Sequence, residues 1–220
     1  MKFIFTLAWA LALTGIAAPK VMAAPKVYEK SIKIWKSFYP DHDCSKLACA
    51  KNVPPKALEA LLEKGSYFHP SKLTNANWMM VADFTLNSKK ERGFLINTKT
   101  GAAELFHVSH GKGSGDGAGN AIRFSNRHKS YMSSKGLYVT AETYFGKHGY
   151  SLRMDGEEST NSEARGRSIV IHGASYMTKQ FIRNVGRAGR SHGCPAVDSK
   201  RSKALIDKLK NGSLYYIYSK

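Results

Sequence analysis

The chain has 220 residues, of which 42% are hydrophobic and 23% charged; 34 Lys and Arg stand against 16 Asp and Glu, a formal net charge of +18. That length buries a real core in one domain with a modest appendage, and the composition is that of an ordinary globular protein. A basic surface calls on an acidic partner: nucleic acid, anionic lipid headgroups or a carboxylate-rich polymer such as bacterial cell wall. The lysines and arginines form no dense run, which argues against nucleic acid, and a soluble basic surface with no specific role is the bland alternative.

Residues 1–23 read as a cleaved secretory signal. Lys2 supplies the positive start, Phe3 to Ala18 is apolar and uncharged, and Val21-Met22-Ala23 offers small residues for signal peptidase, with Ala24 as a neighbouring alternative. The apolar run of about 16 residues is short for a membrane span, and no stop-transfer pattern follows. No stable membrane anchor is therefore expected after cleavage. An uncleaved anchor is the competing reading, because Lys20 beside the cleavage site is unusual. Cleavage removes two lysines and no acid, leaving a formal charge of +16.

Residues 24–75 form a helical N-terminal appendage in this reading. Val27 to Phe38 has a loose helical spacing of apolar residues. Cys44 and Cys49 lie close together and are expected to pair in an oxidising compartment. With three cysteines in all, that pairing leaves Cys194 as the single free thiol. Pro54-Pro55 opens a helix over Ala57 to Leu62 that stops near Gly65, and Ser66 to Asn77 is linker-like.

From 76 to 220 the pattern becomes one of short strands. They are expected at Trp78–Phe84, Gly93–Asn97, Ala102–Val108, Leu137–Thr143, Tyr150–Met154, Ser168–Ile171 and Leu214–Tyr218, with a hairpin turn at Thr98–Gly101. Helices are expected at Tyr176–Asn184 and Ser199–Lys210, the second capped by Asp198 or Ser199 and stopped by Asn211-Gly212. The series predicts a mainly β sandwich or barrel. Between Gly111 and Gly119 every second residue is glycine; with no helix-opening pattern after it, this reads as a mobile loop at a cleft rim rather than a nucleotide fingerprint.

The chemistry concentrates in Ser191-His192-Gly193-Cys194-Pro195, with His172 lying 22 positions before the cysteine. A thiol attacks as its thiolate, and a neighbouring imidazole promotes that form. His192 is near in sequence, but His172 closes an apolar strand and is held rigidly, so His172 is preferred as base. The ring needs a partner on its second nitrogen; a backbone carbonyl such as that of Gly173, or the Ser191 hydroxyl, can serve. Gly193 permits a tight turn that aims the N–H groups of Gly193 and Cys194 at a developing oxyanion. Two blander readings stand beside the nucleophile: a zinc site built on His172, His192 and Cys194, and an inert structural cysteine.

Ile171-His172-Gly173-Ala174 followed by Gly189-Arg190-Ser191-His192-Gly193-Cys194 resembles the active-site signature of the L,D-transpeptidases, the YkuD-like fold. Further stretches resemble that fold's second branch, the murein L,D-transpeptidase catalytic domain family: His110-Gly111-Lys112-Gly113-Ser114-Gly115, Phe124-Ser125-Asn126, Ser133-Ser134-Lys135-Gly136, Tyr144 to Tyr150 and Cys194-Pro195-Ala196. The likeness covers roughly 78–218. It implies a β-sandwich and a cysteine-dependent acyltransferase acting on peptidoglycan stem peptides, with no cofactor and no metal, exported to the periplasm or cell wall. It implies that Cys194 takes an acyl group from a stem tetrapeptide and passes it to an amine, giving a 3→3 cross-link. It makes His172 the base and Ser191, His192 and Gly193 the shapers of the site. Transfer to water, as in an L,D-carboxypeptidase or murein peptidase, and a catalytically inactive wall-binding protein are the alternatives. One departure stands out: other members carry Asn or Arg where this chain has Ala196. Arg190, Arg187 and Arg167 are candidates for the missing contact to a substrate carboxylate, and His110, His148 and Tyr150 are candidates for lining the cleft.

Overall fold

The computed structural model describes residues 52–67 and 73–220. The expected signal segment, the helix at Val27–Phe38 and the Cys44–Cys49 pair lie outside these residues. Helix α1 spans Pro55–Gly65. Proline suits its first turn, where an N–H would have no partner, and Ala57, Leu58, Leu61 and Leu62 form one buried face. That face packs on Met79, Val81, Phe94, Ile96, Leu137 and Leu214 of the sheet. Each buried leucine contributes about 1.5–3 kcal/mol, which is what holds this short helix in place.

The strands are β1 (Trp78–Asp83), β2 (Gly93–Asn97), β3 (Ala103–Phe106), β4 (Gly136–Gly146), β5 (Gly149–Gly156), β6 (Val170–Ala174), β7 (Ala196–Asp198) and β8 (Leu214–Tyr218). All eight join one sheet in the order β3-β2-β1-β8-β4-β5-β6-β7. Only β1–β8 and β6–β7 pair in parallel. The fold is mainly β, as expected, and the layers of the expected sandwich are parts of one continuous sheet. β1 is apolar from Met79 to Ala82 because both its faces are covered there, and only its last residue, the buried Asp83, is charged. Met79 and Val81 meet α1, while Met80 and Ala82 face a second core.

The second core gathers Leu95 and Phe106 from one end of the strand order and Ile171 and Val197 from the other, around Leu205, Ile206 and Leu209 of helix α3 (Ser199–Leu209). The sheet therefore curls around α3 until its ends nearly meet. The seam is hydrogen-bonded: Ser109 N–H donates to Ala196 O at 2.9 Å, Ala196 N–H donates to Ser109 Oγ at 2.9 Å, and Gly111 bridges Ser191.

Three elements differ from the sequence expectation. The helix expected over Tyr176–Asn184 is a 3-10 turn, Ser175–Met177, followed by α2 (Lys179–Val185). Thr178 is extended and its hydroxyl accepts the Phe181 N–H, so it starts a new helix rather than continuing an old one. Strand β6 begins later than expected and runs to Ala174, which puts His172 inside it. Strand β7 was not expected.

Candidate active site

The parallel register of β6 on β7 sets His172 opposite Ala196, two residues beyond Cys194. On its other side His172 pairs with Ser151 of β5. The His172 side chain is buried, and its Nδ1 lies 2.9 Å from Gly173 O. A carbonyl can only accept, so Nδ1 carries the proton and Nε2 presents its lone pair. Burial, the largest influence, lowers the His172 pKa below its ordinary 6.5, with the His148 charge adding to the effect and the Gly173 carbonyl opposing it. The ring is thus a neutral base at neutral pH. His148, exposed on the β4–β5 turn, stacks on it with centroids 4.2 Å apart.

Cys194 sits in a turn held from several sides. Its carbonyl accepts from Ser191 Oγ at 2.6 Å, Ser109 Oγ at 3.0 Å and Ala196 N–H at 3.0 Å. Gly193 has φ +128°, and a Cβ there would stand 2.8 Å from Met132 O. The turn therefore needs glycine for conformation and for space. Its carbonyl accepts from Ser133 Oγ, which also accepts the Gly111 N–H. Gly193 N–H is taken by Ser191 Oγ at 3.0 Å. This N–H, expected from sequence to face an oxyanion, is committed within the turn. The Cys194 N–H has no other residue as acceptor among the described residues.

The thiol lies 3.6 Å from the carbonyl of Ser168, a non-glycine residue held at φ +54°. Such strain persists where surrounding contacts over-determine the backbone. Burial raises the Cys194 pKa above its ordinary 9.0; the Val170 N–H and the Arg167 charge oppose the rise without cancelling it. At neutral pH the thiol and the His172 imidazole are accordingly both uncharged.

The first half of the expected glycine loop, Gly111 to Gly115, is a packed strip, while Gly117 is exposed with nothing near its Cβ position. A Cβ on Gly111 would lie 2.3 Å from Tyr131 O, so the 130–133 backbone can approach only a glycine there. Gly113 N–H donates to Tyr131 O and Lys112 N–H to Ser191 O, tying the strip to both the neighbouring loop and the turn that holds Cys194.

Ser191→Ala should remove a donor to Cys194 O and orphan the buried Gly193 N–H. The cost is about 1–3 kcal/mol, a fall of several degrees in melting temperature. A slower acylation of Cys194 should accompany it. Unchanged melting and unchanged acylation together would exclude a positioning role for Ser191.

The sequence profile of the L,D-transpeptidase catalytic domain matches residues 50–218. The chain belongs to this L,D-transpeptidase family. Its fold is similar to solved structures of an L,D-transpeptidase from Mycobacterium smegmatis (13% identity, 66% of this chain and 59% of that one, TM-score 0.40) and L,D-transpeptidase 3 from Mycobacterium tuberculosis (11%, 65% and 61%, 0.40). It is also similar to Bd1075 from Bdellovibrio bacteriovorus (13%, 65% and 48%, 0.39). The chain spans about three-fifths or less of the length of these proteins. No curated protein matches it.

Of the other candidates, His148 alone is seen to meet the ring of His172, by stacking on it. His192 is exposed and meets the Tyr131 ring at 4.6 Å. Arg190 is exposed. Tyr150 donates its hydroxyl to Asp207 of α3 at 2.8 Å and supports β5 from that side. Ala196 is fully buried with Ala174, Met177, Ile182 and Ala188, so its side chain faces core rather than cleft. Among the described residues no three His, Cys, Asp or Glu side chains converge as a metal site would need. Sequence reasoning missed Ser109 and the Ser168 carbonyl, and it noted Ser133 only within a resembling stretch, without a role. Each acts through a bond to a residue more than 25 positions away, and no local signal marks it.

His110 does not line a cleft. It is 1% exposed, and its Nδ1 accepts from Arg92 Nη2 at 2.7 Å. Burial, reinforced by the Arg92 charge, pushes its pKa down to about 3. The native state thus binds fewer protons than the unfolded chain between about pH 3 and 6.5. Stability is full above 6.5 and falls as pH drops, by at most about 1.4 kcal/mol per unit. Denaturant melts at pH 7 and 4.5 should show a smaller loss for His110→Gln than for the parent. Equal losses would rule out His110 as the source.

Proposed function

We propose that the protein is an exported peptidoglycan L,D-transpeptidase that works through a Cys194 thioacyl-enzyme. The observation that carries this reading is the locked tautomer of His172, with Nδ1–H on Gly173 O and Nε2 free on the strand beside the nucleophile's turn. Nε2 takes the Sγ proton as sulfur attacks the carbonyl of the diamino acid at position three of a stem tetrapeptide. The carbonyl oxygen becomes an oxyanion facing the Cys194 N–H. Collapse breaks the peptide bond, the imidazolium returns its proton to the leaving D-alanine amine, and a thioester remains. An amine of a neighbouring stem then attacks the thioester, Nε2 takes the amine's proton, and the thiol is regenerated as the new amide forms.

The deciding experiment is incubation with tetrapeptide-bearing muropeptides, with products separated by mass. Cross-linked dimers and released D-alanine are expected. Tripeptides without dimers would replace transfer by hydrolysis, and no turnover would leave a wall-binding role.

A further inference from the structure

Arg92 stands just ahead of β2 and is 0% exposed. Its main chain continues the ladders on both sides: its carbonyl accepts the Asp83 N–H at 2.8 Å, and its N–H donates to Phe106 O at 3.1 Å. The side chain runs past the end of β3. Nε and Nη2 donate to Val108 O at 3.1 and 3.0 Å, Nη2 donates also to His110 Nδ1 at 2.7 Å, and Nη1 donates to Leu86 O at 2.9 Å. The Phe84 ring covers the guanidinium, its centroid 4.5 Å from Cζ. None of these partners is a carboxylate. A buried cation held by carbonyls and an imidazole alone costs free energy that an apolar side chain of the same volume would not. What it offers in return is geometry, a planar fork that grips several points at once.

The other side of the gripped segment holds Cys194. Val108 and His110 meet Arg92, while Ser109 between them meets Cys194 and Ala196, the alternation of an extended chain. Ser109 Oγ donates to Cys194 O at 3.0 Å, and Ser109 N–H donates to Ala196 O at 2.9 Å. The His110 carbonyl accepts the Ser191 N–H at 3.1 Å. The turn that carries the thiol therefore leans on Ser109 and His110, and the segment containing them is fastened from behind by Arg92.

We propose that Arg92 is a positioning residue for Cys194, holding residues 108–110 where they set the turn around the thiol. The proposal rests on Cys194 acting as the nucleophile in the reading above and adds a residue that has no bond to the sulfur. Attack needs the reacting atoms about 3–3.5 Å apart, and a displacement of about 1 Å caused by a remote change costs up to about 100-fold in rate. Lysine at position 92 keeps the charge but carries a single terminal nitrogen, which cannot grip Leu86 O, Val108 O and His110 Nδ1 as the guanidinium does.

The test follows acylation of Cys194 by a stem tetrapeptide, read by intact-protein mass, in the parent, Arg92→Lys and Leu58→Ala. Leu58→Ala is the control. It loosens α1 on the face of β1 opposite the second core, and so lowers stability without touching the seam. With all three folded by circular dichroism, Arg92→Lys should lower the saturating acylation rate about 10- to 100-fold. The donor concentration for half-saturation should stay within about twofold, because placement of the thiol and not donor binding is impaired. Leu58→Ala should keep the parent's rate. Amide exchange at Ser109, Ser191 and Ala196 should quicken in Arg92→Lys while the interior of β1 keeps its protection. The parent's rate in folded Arg92→Lys, or equal losses in Arg92→Lys and Leu58→Ala, would overturn the proposal and leave Arg92 a stabilising residue only. Should Arg92→Lys fail to fold, His110→Leu takes its place, since it removes one anchor of the clamp. Its rate should fall, and His110→Gln, whose amide oxygen accepts the same N–H, should recover most of the loss; a parental rate in His110→Leu would overturn the proposal. Failure of the parent itself to acylate would overturn the transpeptidase reading and the proposal together.

Discussion

Cys194→Ala is expected to abolish covalent capture of any acyl donor, with turnover on muropeptides falling at least about 10⁴-fold. The loss should be chemical rather than structural. The turn around residue 194 is held through main-chain groups: Ser191, Ser109 and Ala196 all bond to the carbonyl of residue 194, and that carbonyl survives the substitution. The thiol packs at the margin of the second core, so its removal should cost about 1 kcal/mol. The parent should gain the mass of one opened carbapenem and the variant none, at nearly equal melting temperatures. A variant that still turns over muropeptides, or a parent that never forms an adduct, would remove Cys194 from the chemistry.

His172→Ala should lower the acylation rate by about 10²–10⁴-fold, the usual contribution of a general base, and should change the pH profile in a defined way. Because burial lowers the His172 pKa, its neutral form persists below pH 6.5. The parent's rate should therefore hold through neutrality and fall only as pH drops through that lowered value. Because burial raises the Cys194 pKa, the thiol ionises by itself only above 9. In the variant the residual rate should climb with alkaline pH as thiolate forms without a base, and the gap to the parent should narrow there. A constant ratio of the two rates from pH 6 to 10 would mean that His172 positions the site without moving the proton. Removal of His172 also takes away the ring on which His148 stacks. Circular dichroism should accompany the kinetics.

Local chemistry made much of the fold legible. Gly93–Asn97 and Leu214–Tyr218 were readable as strands because β-branched and aromatic runs end at turn residues, and Asp198 was readable as a cap because its carboxylate accepts the Lys200 N–H. What escaped was non-local. Strand β7 has three residues, follows a proline and exists through its pairing with β6. The glycine strip looked like a loop because its meaning, close approach by the 130–133 backbone, depends on a segment some 20 residues on. His110 looked like a cleft residue because nothing near it in sequence announces Arg92 as its buried partner. At the site, His172 stood out by residue type and spacing. The bracing of the Cys194 turn by Ser109 and Ser133 required side chains from loops that sequence order keeps apart.

The seam that nearly closes the sheet joins residues 109–111 to 191–196, 80 to 87 positions along the chain. Contacts of such long range are entropically expensive to close. The setting of Cys194 thus depends on contacts that no local segment can make alone. A chain that has built β1, β2, β3 and α1 but has not yet zipped the seam carries an ordinary thiol, without the oriented imidazole or the fixed turn. Amide exchange at Ser109, Ser191 and Ala196 should be lost together with catalytic competence under mild denaturant, while the interior of β1 remains protected. Reactivity in this molecule is therefore a readout of complete closure rather than of local structure.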